Sequence, residues 1–250
     1  MSEYRIKTSE QVGSNMSFEI YDLVRVDHRV VGGSPTHGTH VPIIGRQVKI
    51  SLKGGSALLE PGALQYAKGN LTVEVQQNER GGNFFSRQIQ SAGSGESAFA
   101  TRYAGIGEVW TEPTRKHFLA GTMDGAGDTL LLDDKAFYAC EGTIKISTHT
   151  HRSVQGVLSG NGLMQPKMEG VGVFVVESPV PVEEIEVIEL NGNEQLIVDG
   201  DLMLMYSATL NVELRPLVRG LRNALRTGEG LVYVLSGRGT VFLTPTASIS

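Results

Sequence analysis

Three stretches of the chain share one layout: "SGESAFATRYAGIGEVW" (Ser94–Trp110), "SGNGLMQPKMEGVGVFV" (Ser159–Val175) and "TGEGLVYVLSGRGTVFL" (Thr227–Leu243). Each opens on a small polar residue and a glycine. A strand-like run follows, then a Gly-x-Gly beginning at Gly105, Gly170 or Gly237, then a second strand-like run. A second element recurs in the same order: "LLEPGALQYAKGNLTVEV" from Leu58, "LLLDDKAFYACEGTIKIS" from Leu130 and "QLIVDGDLMLMYSATLNVEL" from Gln195. Each copy reads as strand, acidic or Pro-Gly turn, strand, small-residue turn, strand. Gly62, Lys135 and Gly200 hold the same turn place. Repetition at a near-constant period constrains a fold more than any local signal. It predicts one body, residues 1–250, built from three β units at about 50–112, 128–177 and 193–245.

The rest of the chain agrees with an all-β class. "RQVKISL" alternates apolar and polar residues, as a half-buried strand does. "LVYVL" and "TVFL" are rich in β-branched and aromatic residues. The intervening "SGRG" predicts a tight hairpin, and Asn191-Gly192 predicts another. Neither glycine cluster reads as a phosphate loop, because such a loop opens into a helix whose N–H groups face the anion. One short helix is predicted near 216–226, with Pro216 in its first turn and Leu217, Leu221 and Leu225 on one face.

The motifs "LLEPGAL", "SGESAF" and "GEGLVYVLSGRGTVFL" resemble those of the mitochondrial-biogenesis family named for altered inheritance of mitochondria. The resemblance runs from about Leu52 to Thr244. In the middle copy Asn161 stands where the family favours Glu, Pro166 interrupts the next strand, and "DDK" lacks Pro-Gly. The resemblance implies a fold similar to the tryptophan RNA-binding attenuation protein, a double-stranded β-helix or jelly-roll-like sandwich. It implies no catalytic residues and no cofactor. In mitochondria it implies a link to inner-membrane organisation.

Candidate chemistry is sparse. His149 and His151, two apart, share a strand face, and His37 and His40 sit in a loop; surface or loop histidines are the ordinary reading. A metal site needs further ligands, and no H-x-H-x-E/Q pattern follows, the next residues being Arg152 and Ser153. No metal ligand or catalytic residue is assigned. Cys140 lies in the apolar "FYACEG" and reads as buried and inert. Adjacent Asp133 and Asp134 read as turn residues. Arg215, Arg219, Arg222 and Arg226 would line one side of the helix and form the candidate anion site.

A formal net charge of −5 gives no general attraction to nucleic acid or anionic lipid. With one cysteine there is no intrachain disulfide, so a reducing, cytoplasmic setting is expected. No stretch has the length of a membrane span. Three functions follow. The first is a non-enzymatic binding or scaffold protein that self-associates through β surfaces. The second is binding of RNA or another polyanion by the arginine helix, which is not favoured. The third is a metal-dependent jelly-roll enzyme using His149 and His151. Met203, Leu204 and Met205 put apolar groups on both faces of one strand. Either a second layer or a second subunit must cover them.

Overall fold

Runs of β-branched, aromatic and aliphatic residues separated by short polar turns leave this chain little alternative to antiparallel strands. The computed structural model describes residues 4–25, 43–77, 98–151, 163–216 and 231–249. Thirteen strands appear among them: β1 (Arg5–Val12), β2 (Met16–Val24), β3 (Ile43–Leu59), β4 (Leu64–Gln77), β5 (Ala98–Thr111), β6 (His117–Leu132), β7 (Phe137–Glu141), β8 (Ile144–His151), β9 (Leu163–Ser178), β10 (Glu186–Asp199), β11 (Met203–Ser207), β12 (Asn211–Pro216) and β13 (Leu231–Leu243). Every pairing is antiparallel, and all strands belong to one continuous sheet that does not close into a barrel. Single 3-10 turns at Val182–Glu184 and Gly200–Leu202 are the only helical pieces among the described residues. The fold class is all-β, as the sequence indicates.

The glycine clusters do something other than expected. "SGRG" is not a hairpin: β13 runs through it unbroken, as β5 and β9 run through their own Gly-x-Gly. Asn191-Gly192 likewise lies inside β10. Gly105, Gly170 and Gly237 take φ of 126°, 126° and 102°, a region glycine enters without a Cβ clash. The strand therefore bends rather than reverses. Its partner must bend at the same level, and the register shifts there in β3 between Lys53 and Ser56, in β6 between Asp124 and Thr129, and in β10 between Asn191 and Gln195. Extra residues of this kind kink a strand and increase its twist.

Because the long strands bend, one sheet surrounds three cores in succession. The first gathers Phe18, Ile50, Leu59, Val109 and Val175; the second Leu58, Met123, Phe137, Phe174 and Met205; the third Leu131, Tyr206, Leu210, Leu235 and Val241. Alternate residues of one strand serve different cores. Val173 and Val175 enter the first, and Phe174 and Val176 the second. Met203 and Tyr206 enter the third, and Leu204 and Met205 the second. That resolves the apolar run of β11: both faces are covered by this chain's own cores, not by another subunit.

The predicted helix fares differently at its start and beyond. Arg215 and Pro216 are strand, closing β12 against Val232 and Leu231. Residues 217–226, which carry the rest of the predicted helix, lie outside the described residues.

Candidate functional site

Two polar places stand out in an apolar body. The first forms where β8, β9 and β11 approach one another. His149 and His151 point to the same side of β8, with ring centroids 4.5 Å apart, edge to face. His151 Nε2 lies 2.9 Å from Gln165 Oε1 and 3.0 Å from the Tyr206 hydroxyl, and Tyr206 donates to Gln165 Oε1. Gln165 Oε1 has two lone pairs, so it accepts from both neighbours when the proton sits on Nε2 of His151. All three side chains are buried. His151 is thus no surface histidine, contrary to the ordinary reading of "THTHRS". An Nε2 that carries this proton has no lone pair to give a metal. Among the described residues, no group of three or more His, Cys, Asp and Glu is placed to hold one.

Burial holds both imidazoles below their usual pKa; the Gln165 bond opposes this at His151, and Lys167 adds to it at His149. Charging them therefore opposes folding. They stabilise the fold fully above pH 6.5, and that stability declines on acidification. Tyr206→Phe removes one donor to Gln165 and leaves buried polar atoms short of a partner. The expected loss is about 1–3 kcal/mol, read as a lower urea midpoint at unchanged slope.

The second place is a cleft of about 340 Å³ where β3, β5 and the β7–β8 turn meet the β1–β2 turn. Arg102 donates to Ser56 Oγ (2.8 Å) and to the Gly142 carbonyl (3.1 Å). The buried Glu141 carboxylate accepts from the backbone N–H of Ser14 (3.1 Å) and of Val173 (3.2 Å). One side chain thereby ties the β1–β2 turn to β9. Glycine is required beside it, since a Cβ at Gly142 would strike the Ser56 hydroxyl. Sequence reading passed over both groups: "ACEG" draws the eye to Cys140, and nothing local marks Arg102.

The remaining candidates disperse. Arg215 is exposed on β12, and Arg219, Arg222 and Arg226 lie outside the described residues, as do His37 and His40. Cys140 is fully buried, and burial pushes its thiol pKa far up, which makes it inert. Asp133 and Asp134 do form the β6–β7 turn; burial, then the neighbouring Asp134, raises Asp133 to about 6. No helix among the described residues is long and apolar enough to cross a membrane.

Residues 43–246 match the model of the family described as mitochondrial biogenesis AIM24. The chain belongs to that family. It is 26% identical over 203 residues to an uncharacterized protein of Streptococcus pyogenes serotype M6, covering 78% of this chain and 79% of that one. A crystal structure of a Streptococcus pyogenes protein matches with a TM-score of 0.58 at 23% identity, over 90% of this chain and 93% of the other. That likeness shows the fold alone. The AIM24 match begins at the first residue of β3 and ends just beyond β13, so β1 and β2 precede the matched region.

Proposed function

We propose that this AIM24-family chain is a non-enzymatic binding or scaffold body that works through exposed sheet surface. One observation carries the reading. The β4–β5 hairpin turns five large apolar side chains to solvent: Leu64 (39% exposed), Tyr66 (41%), Val73 (57%), Val75 (59%) and Ile106 (67%). Single exposed apolar residues are ordinary, but such a concentration on one hairpin is a mark of an interaction surface. The polar groups that chemistry would use are occupied in holding strands together. Glu141 joins the amino-terminal turn to β9, Arg102 joins β5 to the β7–β8 turn, and His151 joins β8 to β9 and β11. In this reading the compartment is the cytoplasm.

Val73→Glu with Val75→Glu tests it. Both sites are more than half exposed, so the double variant is expected to keep the parent melting temperature within a few degrees. Purified from native cells beside the parent chain, it is expected to lose a partner the parent retains. Equal recovery of partners by the two chains sinks the surface reading. A catalytic turnover abolished by Arg102→Ala or His151→Ala would replace it with an enzyme.

A further inference from the structure

Among the described residues Arg102 is a cation with no ion pair. It lines the cleft that β3, β5 and the two turns enclose. Its guanidinium donates to Ser56 Oγ (2.8 Å) and to the Gly142 carbonyl (3.1 Å), both uncharged. These bonds fix the plane of the fork and use only part of its N–H groups. Glu74, opposite Arg102 on β4, is exposed and makes no ion pair with it. Glu141 lines the same cleft, but its oxygens accept from the N–H groups of Ser14 and Val173.

β9 carries a counterpart of this place with its anion built in. Gly105 and Gly170 bend their strands at the same φ, 126°. The residue before each lies opposite the first partner residue beyond a register gap: Ala104 opposite Ser56, and Glu169 opposite Thr129. The backbone beside them matches as well. The Gly142 N–H donates to the Ser56 carbonyl (2.6 Å), and Ala208 to Thr129 (2.8 Å). One step further back on the same strand face stand Arg102 in β5 and Lys167 in β9. Lys167 is ion-paired with Glu169, which Lys145 also approaches at 3.8 Å. In β5 the place of that carboxylate belongs to Ala104, and Ala104 lines the cleft. β5 thus has the cation and lacks the anion.

We infer that the cleft binds an organic carboxylate, which takes the place over Ala104 that Glu169 fills in β9 and pairs with Arg102. An arginine fork matches the two oxygens of a carboxylate. Glycine makes the room. Gly54 and Gly55 fall in the register gap of β3 and have no register partner in β2, β5 or β7. Gly54 has a φ of 95° and nothing within 4 Å of the place a Cβ would take. Backbone rather than side chain therefore walls that part of the cleft, and backbone N–H groups are fit to receive an anion. Glu141 limits the charge. A carboxylate in the wall repels a second negative charge on the ligand, so one carboxylate suits the cleft better than phosphate. A volume of about 340 Å³ leaves space beyond the carboxylate itself. Ser14, Asn15 and Thr143 line the cleft too, so the body attached to the carboxylate is polar. Arg102 lies opposite Glu74, whereas Val73 and Val75 point to the other face of the hairpin, so this site and that surface can fail separately.

The test is an NMR titration of the full isotope-labelled chain at constant ionic strength. Sodium lactate stands for a free acid and N-acetyl-alanyl-alanine for the carboxyl end of a peptide; inorganic phosphate is the rival anion. The expected result is that lactate or the peptide, at millimolar concentration, moves the backbone signals of Gly54, Gly55 and Ala104 and the Nε signal of Arg102. The peptide with its carboxyl end amidated is expected to move none of them. Tighter binding of lactate assigns a free acid and tighter binding of the peptide a chain terminus, and either supports the site. Ala104→Glu supplies the missing carboxylate from within the chain. It is expected to weaken binding by about tenfold or more while keeping the melting temperature of the parent. Arg102→Gln is expected to weaken it as much, and Arg102→Lys less, since the charge stays and the fork is lost. Should Arg102→Gln fail to fold, Ala104→Glu carries the test. Signals that move no more with either carboxylate than with chloride overturn the inference. So does preference for phosphate, or undiminished binding by Ala104→Glu.

Discussion

Gly105→Val is expected to abolish folding at room temperature, whereas Gly237→Val is expected to leave a folded, weakened protein. Both glycines have positive φ, 126° and 102°, and both open a Gly-x-Gly at a bend. What differs is the space. A Cβ at Gly105 would run into the Asn70 carbonyl oxygen of the paired strand, which is backbone and cannot swing aside. At Gly237 the nearest atom to a new Cβ is the Thr209 carbonyl oxygen at 3.6 Å, an ordinary contact. Backbone strain alone costs about 1–3 kcal/mol. Adding a backbone collision inside a paired ladder brings Gly105→Val to about 4–5 kcal/mol or more, much of the stability of a typical domain. Urea titration followed by circular dichroism separates the two. Equal losses at both sites would mean that backbone conformation, not strand proximity, dictates glycine here.

Glu60→Gln is expected to stabilise the protein above pH 7 and to change little below pH 4.5. Glu60 sits in the β3–β4 turn, where burial, reinforced by nearby Glu177 and opposed by Lys116, raises its carboxyl from 4.5 to about 7. The folded state therefore holds its proton more tightly than the unfolded state does. Between those two values folding takes up protons, so stability falls as pH rises through the window. The gap corresponds to about 3 kcal/mol once the window is passed, as an order of magnitude. Asp133, raised to about 6, acts in the same direction, while His149 and His151 act in the opposite one. The difference between parent and Glu60→Gln isolates the single group. Melting curves at pH 4 and pH 8 should show near-coincidence at the first and a clear gain for the variant at the second. A gain of equal size at both pH values would assign the effect to something other than ionisation.

The strand content was legible because its signals are local. "LVYVL" and "VFVV" report β structure from their own residue types. The both-faced burial of β11 was legible as a question in Met203, Leu204 and Met205, and the cores on either side answered it. Bends were not distinguishable from hairpins. A glycine at positive φ serves either, and the choice depends on the partner strand, as where Gly107 lies opposite Gly69. The polar sites were illegible for a different reason. His151, Gln165 and Tyr206 come from three strands, with Tyr206 55 residues from His151. Glu141 is set to work by the backbone of Ser14, 127 residues away. No spacing rule connects residues brought together by the sheet order alone.

The three cores that share strands also govern how the chain can be made. Synthesis proceeds from the amino terminus, and each core draws on strands that come later in the chain. When β3 has emerged, Leu58 has no core to enter until β7, β9 and the rest of the second cluster arrive. The same wait recurs for Leu131. The nascent chain therefore always carries one unfinished, sticky edge, and that edge moves along the protein as it lengthens. A ribosome-stalled chain ending after Ser178 should capture strand-seeking chaperones at β6, and a chain ending after Leu243 should release them there. The order in which the cores close is thus set by the direction of synthesis, since each waits for strands made after the one that carries its first residues.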